Sequence, residues 1–209
     1  MVESMPMSRV AQQERSKVTR RRLLEASLDT LSDVGLAGTT VSAVAARAGV
    51  SRGAAQHHFP TRDSLVEAAL EEFFAERTQQ LRSSVAKLST GSGAAAVDAV
   101  DEVVTLIFGF FSNRPFHAAL HIWAAASTDD SLRELIVPAE ARYGREVYQL
   151  TALALNADLS DQHTRRLLGL TLDVARGLGL GSVLVDTRKH QNDAIKTWSR
   201  ILDGIKRND

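Results

Sequence analysis

Cysteine is absent from the 209-residue chain, and only four prolines are present. Without cysteine, the chain has no disulfide scaffold, no cysteine nucleophile and no thiolate site for a metal ion or an iron–sulfur cluster. The scarcity of proline, together with a hydrophobic content of 44%, favours a folded and mostly helical protein. A chain of this length buries roughly 70% of its unfolded surface, so it can form a core without covalent staples.

Neither sign of charge predominates, because 25 Lys and Arg residues balance 25 Asp and Glu residues. This balance argues against a wholly basic nucleic-acid coat protein and against an acidic disordered tail. The charge is uneven along the chain, however. Residues 1–60 carry 8 basic and 5 acidic side chains, whereas residues 61–209 carry 17 and 20, so the first segment has a net charge of +3 and the rest −3.

Long hydrophobic runs are also missing. The longest apolar stretch, Val103 to Phe111, is followed at once by Ser112, Asn113 and Arg114. It is well short of the roughly 20 apolar residues that a membrane-spanning helix needs. The N-terminus lacks the apolar core of a secretory signal. The sequence therefore predicts a cytoplasmic protein that has no membrane partner.

Apolar residues recur at helical spacing along most of the chain, and no window alternates with a period of two. The pattern predicts an all-α fold of about nine helices, preceded by a disordered arm of residues 1–14. Gly35 is expected to end the first helix, and the Ser/Gly segment of residues 89–93 is the clearest loop. Asp158 or Ser160 is expected to cap the penultimate helix.

Residues 40–59 have the spacing of a helix-turn-helix, whose second helix enters the major groove of DNA. Thr40 and Ser51 are suited to cap the two helices, and Gly49 suits a turn residue with positive φ. The second helix carries few bulky apolar side chains, so it can approach base edges closely. The alternative is an ordinary helical hairpin in a bundle, but such a helix would offer more apolar surface for burial.

Four ordered stretches within residues 19–66 closely resemble the N-terminal domain of the TetR (tetracycline repressor) family of transcriptional regulators. They are Arg22–Ala26, Gly35–Val41, Ala45–Gly53 and His57–Leu65. The match covers about a quarter of the chain. One position departs from the family, which commonly has Tyr where this chain has Gln56. This Gln could contact a phosphate, as the Tyr often does, or read a base, with a preference for adenine.

The resemblance implies two domains. Residues 15–60 would form the helix-turn-helix DNA-binding domain, and residues 61–209 a helical effector-binding and dimerisation domain whose first helix, residues 61–87, connects the two. It also implies a homodimer, a palindromic operator in double-stranded DNA and a small-molecule effector as partners. No nucleophile elbow, P-loop or dinucleotide fingerprint occurs in the sequence, so we predict neither an enzyme nor a cofactor.

Individual DNA contacts can be assigned from side-chain chemistry. Arg52 is the best candidate for base readout, because Arg pairs bidentately with guanine. Thr40, Thr61 and Arg62 lie at helix N-termini, where they can contact phosphates. His58 resembles the phosphate-contacting His of the family. The predicted DNA-contacting residues are Arg20, Arg21, Arg22, Thr40, Ser51, Arg52, Gly53, Ala54, Gln56, His57, His58, Thr61 and Arg62.

Aromatic and histidine residues cluster in the middle helices, where they form either ordinary core or the lining of a small-molecule pocket. They are Phe108, Phe111, Phe116, His117, His121, Trp123 and Tyr143. By resemblance, the family holds its effector in this region. Because no Arg or Lys occurs between Arg114 and Arg133, the pattern favours a small, mostly apolar effector. His117 and His121 have metal-ligand spacing, but no carboxylate or Cys completes a set, so we predict no metal site.

The resemblance further implies dimerisation through the last two helices, about residues 160–185 and 189–206, as a four-helix bundle. The predicted seam consists of Leu167, Leu168, Leu172, Ala175, Trp198, Ile201 and Ile205. The function we predict is a homodimeric, ligand-responsive transcriptional regulator, and we favour a repressor that its effector releases from the operator. The alternatives are a regulator controlled by a protein partner or by no effector, and an enzyme or helical adaptor unrelated to DNA.

Overall fold

A computed structural model describes residues 7–91, 96–185 and 187–208. Within these ranges the chain forms nine helices and no strand, so the predicted all-α fold is confirmed. The helices are α1 (Met7–Gly38), α2 (Val41–Ala48), α3 (Arg52–His58), α4 (Arg62–Gly91), α5 (Ala96–Phe110), α6 (Arg114–Ala126), α7 (Asp130–Ala154), α8 (Gln162–Gly181) and α9 (Arg188–Leu202). None of the helices, over the described residues, is long and apolar enough to cross a bilayer.

The helices are distributed over two compact units. The first comprises the chain up to Phe73 together with Ile122–Ala139, and the second comprises Phe74–His121 together with the chain from Glu140 onward. The predicted domain boundary at residue 60 therefore falls inside the first unit, because the first three turns of α4 pack with α1, α2 and α3. Leu65 and Ala69 of α4 are fully buried in their shared core.

The start of α1 differs from the sequence prediction. The predicted disordered arm includes residues 7–14, but these residues are helical and continuous with the rest of α1. They are rich in Ala, Gln, Glu and Arg, which have high helix propensity, so this polar segment needs no apolar face to be helical. Lys17 and Glu14 add an exposed ion pair at 2.8 Å. Residues 1–6 of the predicted arm lie outside the described residues.

Gly35 breaks the first helix as predicted, with φ 69° and ψ −177°, and a short helical segment follows it to Gly38. Two other predicted boundaries differ from the structure. Of the predicted loop at residues 89–93, the first three residues extend α4 and the remaining two lie outside the described residues. The cap of α8 is neither Asp158 nor Ser160. It is Asp161, whose carboxylate accepts a hydrogen bond from the Thr164 amide at 2.7 Å.

The core of the second unit is built largely from α5, α8 and α9, which pack against one another. Val104, Ile107 and Phe108 line the buried face of α5. Among the glycines of the described residues, Gly179 of α8 has the least room for a side chain. A Cβ atom there would overlap the carbonyl oxygen of Phe111 and the ring of Phe116, so only glycine fits without a shift of the backbone.

Candidate DNA-binding site

The helix-turn-helix is held by three local features that the sequence predicts. The Thr40 hydroxyl accepts a hydrogen bond from the Ala43 amide at 3.1 Å and caps α2. Gly49 ends α2 in the left-handed region, with φ 65° and ψ 36°. The Ser51 hydroxyl then caps α3 by accepting from the Ala54 amide at 3.2 Å. Each cap contributes about 1 kcal/mol, so α3 has a fixed start despite its seven residues.

An apolar core beneath these helices fixes the orientation of α3. Ala55, the one fully buried residue of α3, contacts a cluster that includes Leu23 of α1 and Val44 of α2. Phe59, immediately after α3, joins the same cluster. Because α3 is anchored through a single small side chain and its flanking Phe, the remaining side chains of the helix are left outside the core.

The polar residues predicted to contact DNA do lie on the outside of α3. Arg52, Gly53, Gln56 and His57 are exposed, while Ala54 and His58 are half-buried. No atom comes within 4 Å of a Cβ placed on Gly53, so the helix surface is open at that point. Arg52 belongs to no ion pair among the described residues, which leaves its guanidinium available for an external acceptor.

The imidazole of His58 has a lowered pKa. Partial burial is the main cause that lowers its pKa below the ordinary 6.5, and the charges of His57 and Arg20 act in the same direction. The ring centroids of His57 and His58 lie 5.7 Å apart. A neutral imidazole can still donate one N–H to a phosphate, and a phosphate placed nearby would favour the protonated form.

The basic residues of α1 are not equivalent. Arg20 lies over the Phe59 ring, 5.6 Å from its centroid, and 3.5 Å from Glu72, so it braces the end of α3 against its neighbours. Arg21 pairs with Glu25 at 2.9 Å. Arg22 is exposed and in no ion pair within the described ranges. Of the three, Arg22 is therefore the one whose charge is least engaged within the chain.

The start of α4 carries the remaining predicted contacts. Thr61 and Ser64 cap one another, because the Ser64 amide donates to the Thr61 hydroxyl at 3.1 Å and the Thr61 amide to the Ser64 hydroxyl at 3.3 Å. Arg62 is paired with Asp63 at 2.7 Å. A phosphate bound to Arg62 would thus compete with this carboxylate.

Sequence reasoning missed one ionic support of the site. Arg47, at the end of α2, pairs with Asp33 of α1 at 2.7 Å and approaches Asp29 at 4.0 Å. A signal was available, because Asp29 and Asp33 are four residues apart and so lie on one face of α1. The ion pairs join α1 to the first helix of the helix-turn-helix.

The predicted effector-binding residues are mostly packed interior. Phe108, Phe111 and Phe116 are each exposed by 2% or less, so their rings are part of the core. His121 is exposed, His117 is half-buried, and Trp123 belongs to the first unit while the other six residues belong to the second. The predicted effector pocket stays a prediction.

A buried cation, Arg77 of α4, lies among these aromatic rings. It is 3% exposed and lies over the Phe110 ring at 4.2 Å. Its guanidinium donates to the Phe110 carbonyl at 2.9 Å, to Tyr143 Oη at 3.2 Å and to Asn113 Oδ1 at 3.3 Å. Burial raises the pKa of Tyr143, and the charge of Arg77 opposes that rise. Arg77 thus supplies a cation that the absence of Arg and Lys between Arg114 and Arg133 does not exclude, because it comes from another helix.

The two histidines of α6 have different surroundings. The His117 ring contacts the Ser182 hydroxyl at 3.1 Å, whereas His121 faces solvent. Among the described residues, no group of three or more His, Asp or Glu side chains could hold a metal ion.

The predicted dimer seam is largely occupied by the chain itself. Five of its seven residues are already buried in a single chain, with exposures of 8% or less, and cannot present a surface to a partner: Leu167, Leu168, Leu172, Ala175 and Ile205. Trp198 is half-buried and donates its indole N–H to Thr171 Oγ1 at 2.9 Å. Ile201 alone is well exposed, at 42%. Periodicity identified the apolar faces, but those faces pack inside the chain.

Two capped helices joined at a left-handed glycine, with the second helix presenting polar side chains to solvent, define a helix-turn-helix DNA-binding protein. Residues 23–69 match the model of the bacterial regulatory proteins of the tetR family. The chain is 31% identical over 180 residues to the HTH-type transcriptional regulator CymR of Pseudomonas putida, covering 86% of each chain. It is 29% identical over 153 residues to the HTH-type transcriptional regulator BetI of Cronobacter sakazakii, covering 71% of each.

A solved structure shares the fold. The crystal structure of the multidrug binding protein EbrR complexed with imidazole superposes with a TM-score of 0.58 at 24% identity, covering 91% of this chain and 96% of that one. The chain belongs to the TetR family of transcriptional regulators. Like its relatives it is a regulator and not an enzyme.

Proposed function

We propose that the chain is a cytoplasmic, homodimeric repressor that binds a palindromic operator and is released by a small-molecule effector. The observation that carries the DNA-binding part is the exposure of Arg52, Gly53, Gln56 and His57 on a recognition helix whose position is fixed by its cap and core. Polar side chains on an anchored helix are what base readout in the major groove requires.

The contacts divide into two kinds. Arg52 and Gln56 are placed to read base edges, with Arg52 pairing to guanine and Gln56 to adenine or a phosphate. Thr40, Thr61 and Arg62 are placed to contact phosphates, which position the protein without reading sequence. Arg22 supplies further attraction to the DNA backbone, and this attraction weakens as the salt concentration rises.

Two arginine substitutions test this division. Arg52→Ala should cost about 1–3 kcal/mol of operator binding and relax the preference at one position in each half-site. Arg62→Ala should weaken binding to all sequences alike. It should also reduce, by about one, the slope of the logarithm of the binding constant against the logarithm of the salt concentration. Arg82→Ala removes the same charge from the exposed pair with Glu146 and serves as the control. If Arg62→Ala changed the operator preference while Arg52→Ala left it intact, the two roles would be reversed.

Release by an effector requires two conformational states. In one state the two recognition helices of the dimer reach successive major grooves, about 34–36 Å apart. The effector must favour the other state by about 2.7 kcal/mol to weaken operator binding 100-fold. The sequence favours a small apolar effector, but Arg77 within the aromatic cluster removes the premise of that argument, so the proposal here does not restrict the effector to apolar molecules.

A regulator controlled by a protein partner or by no effector is the second candidate. The burial of Phe108, Phe111 and Phe116 favours it, because each of these side chains is exposed by 2% or less and belongs to the core. The two candidates differ in the kind of molecule that releases the regulator from its operator. Small-molecule extracts of the source cells should release the purified regulator from its DNA, whereas release by the protein fraction alone would favour the second candidate.

The proposed dimer uses the apolar residues that the chain leaves uncovered on its last two helices. Leu170 and Leu180 of α8 are exposed by 49% and 58%, and Ile201 of α9 by 42%. Leu170→Glu should shift the protein from dimer to monomer in sedimentation, because a carboxylate in the interface would lose its hydration. Leu153→Glu, at a 70% exposed position of α7, is the matched control and should stay dimeric. Equal behaviour of both variants would contradict this interface.

A further inference from the structure

The positive charge of helix α1 is concentrated in its first half. Residues 11–22 carry five basic side chains and one acidic side chain, whereas residues 23–38 carry three acidic side chains and no basic one. The acidic half is partly neutralised within the chain, since Arg47 of α2 pairs with Asp33 at 2.7 Å and approaches Asp29 at 4.0 Å. The basic half keeps an excess of positive charge, because only some of its cations have an acidic partner.

Two helical turns of this basic half lie outside the core. Residues 11–18, the α1 extension, are all exposed, and the first buried side chain in the described part of α1 is that of Leu23. Since eight successive residues include every side of a helix, no side of the extension packs on the chain. Its apolar residues are Ala11 and Val18, too few to form an apolar face for a hydrophobic partner or a membrane. A partner of this segment must therefore be polar.

Arg15 and Arg22 are the cations of the basic half that the chain leaves available. Both are exposed, and neither enters an ion pair among the described residues. They are seven residues apart, so they project from the same side of the helix, with about 10 Å between them along its axis. Lys17 is exposed as well, and its ion pair with Glu14, at 2.8 Å, is open to solvent and can be exchanged for another anion. The helix thus offers a row of cations to a partner.

These charges do not stabilise the helix that carries them. Cations close together on one helix repel one another, and within the described residues the α1 extension has a single exposed ion pair to offset this repulsion. A helix that is polar on every side and packs on no other element depends on the intrinsic propensity of its residues. A row of external anions would remove the repulsion and stabilise the segment.

The position of the basic half indicates which anions it meets. Arg20, two residues after the extension, lies over the ring of Phe59, 5.6 Å from the ring centroid, and Phe59 directly follows the recognition helix α3. The extension therefore begins beside one end of α3, and residue 11 lies about 13 Å from Arg20 along the axis of α1. DNA that receives α3 in its major groove carries one phosphate for about every 3.4 Å of each strand. A segment of this length can span several phosphates.

We propose that the α1 extension contacts the DNA backbone that flanks each half-site, outside the base pairs that α3 reads. This contact rests on the proposed DNA binding and extends it, because the predicted contacts on α1 begin at Arg20. Arg15 and Lys17 bind phosphates and read no sequence. The operator footprint is therefore longer than its two half-sites, and the flanking DNA strengthens binding whatever its sequence.

The length of the DNA tests this contact. Two duplexes are compared, both carrying the same operator selected from the source genome. One ends at the outer edges of the half-sites, and the other extends by about ten base pairs, one helical turn, on each side. The wild-type full chain should bind the longer duplex about tenfold more tightly at low salt, and this gain should persist when the flanking sequence is scrambled. Equal affinity for the two duplexes would overturn the proposal.

Removing the charges of the extension shows whether it causes the gain. Arg15→Gln combined with Lys17→Gln should abolish most of the gain from flanking DNA. It should also reduce, by about two for each chain, the slope of the logarithm of the binding constant against the logarithm of the salt concentration. Gln has a helix propensity close to those of Arg and Lys, so the helix is retained. The exchange Arg15→Lys combined with Lys17→Arg keeps both charges and should keep the gain.

Arg145→Gln combined with Lys189→Gln is the matched control, because it removes one Arg and one Lys from exposed positions outside α1. It should change the gain less than about twofold. An equal loss in the two double variants, or an undiminished gain without Arg15 and Lys17, would overturn the contact. A change in the oligomeric state of the α1 variant in sedimentation would also overturn it, since the extension would then serve a second copy of the chain.

Failure of the proposed function can be told apart from failure of this contact. If the wild-type chain selected no operator, sequence-specific recognition by α3 would fail. Binding of both double variants to random-sequence duplexes of about 30 base pairs would still decide the role of the extension. Weaker binding of the α1 variant than of the control supports the backbone contact, and equal binding overturns it.

Discussion

The recognition helix α3 and helix α8 of the second unit differ in where their side chains lie. Among the seven residues of α3, only Ala55 is fully buried. In α8, by contrast, seven of 20 residues are fully buried, and Gly179 is too close to its neighbours to carry a Cβ atom. The side chains of α3 are thus available to a partner, whereas one face of α8 serves the core of its own chain.

The difference also concerns charge. Arg52 on α3 is solvent-exposed, while Arg77 is enclosed by aromatic rings and by hydrogen-bond acceptors from the α5–α6 turn and α7. An exposed guanidinium can exchange water for a DNA base without losing other contacts. A buried one is already committed, and its removal leaves its acceptors without a donor.

The largest effect on stability is expected at Arg77. Arg77→Met keeps the length of the side chain but removes the donors to Tyr143, Asn113 and the Phe110 carbonyl, and should lower the free energy of unfolding by about 3 kcal/mol. Arg82→Met, which breaks an exposed pair with Glu146, should cost less than about 1 kcal/mol. Urea unfolding measures both, and equal costs would mean that burial does not distinguish the two arginines.

A pair of glycines on α8 tests the tight packing. Gly179→Ala should destabilise the chain by about 1–3 kcal/mol, because the new methyl group overlaps the backbone of Phe111. Gly177→Ala, two residues earlier with nothing within 4 Å, should be neutral or stabilising by up to about 1 kcal/mol. Thermal unfolding of the two variants gives the comparison, and a stable Gly179→Ala variant would contradict the close approach.

The equivalent change on α3 should behave differently. Gly53→Ala meets no neighbour within 4 Å and replaces a poor helix former, so it should stabilise the chain by about 1 kcal/mol. If α3 approaches DNA closely at this position, operator affinity should fall at the same time. Unfolding and DNA-binding measurements on one variant would show the two quantities moving in opposite directions. A parallel rise in both would place Gly53 away from the DNA.

The smallest effect is a pH dependence at His58. Its lowered pKa means that the folded chain binds this proton less tightly than the unfolded chain, so its contribution to stability falls as pH drops below about 6.5. A phosphate contact would raise the same pKa, so operator binding should strengthen over that range. His58→Gln should reduce both trends. An operator affinity that weakened at low pH in the wild type only would argue against the phosphate contact.

The parts of the fold that depend on neighbouring residues could be predicted from the sequence. The caps at Thr40 and Ser51 and the left-handed turn at Gly49 are decided within a few residues, and all three occur as predicted. Residues 7–14 of the predicted arm are helical although they have no apolar face, because these residues favour a helix by themselves.

The parts that depend on distant residues could not be predicted. The apolar face of α8 was recognised, but periodicity does not say whether Leu168 or Ala175 packs on the same chain or on another. Arg77 meets its partners 33 to 66 residues further along the chain. A signal did exist, because Arg77 continues the buried stripe of Phe74, Leu81 and Val85 on α4, and a cation in such a stripe must find acceptors.

Selection of bound fragments from the source genome by the purified full chain tests the central claim most directly. Wild-type protein should enrich short inverted repeats whose half-sites are one helical turn apart. Arg52→Ala should enrich sites with a relaxed preference at one position in each half-site. Retention of all fragments in proportion to their length, or an unchanged preference in Arg52→Ala, would contradict sequence readout by α3.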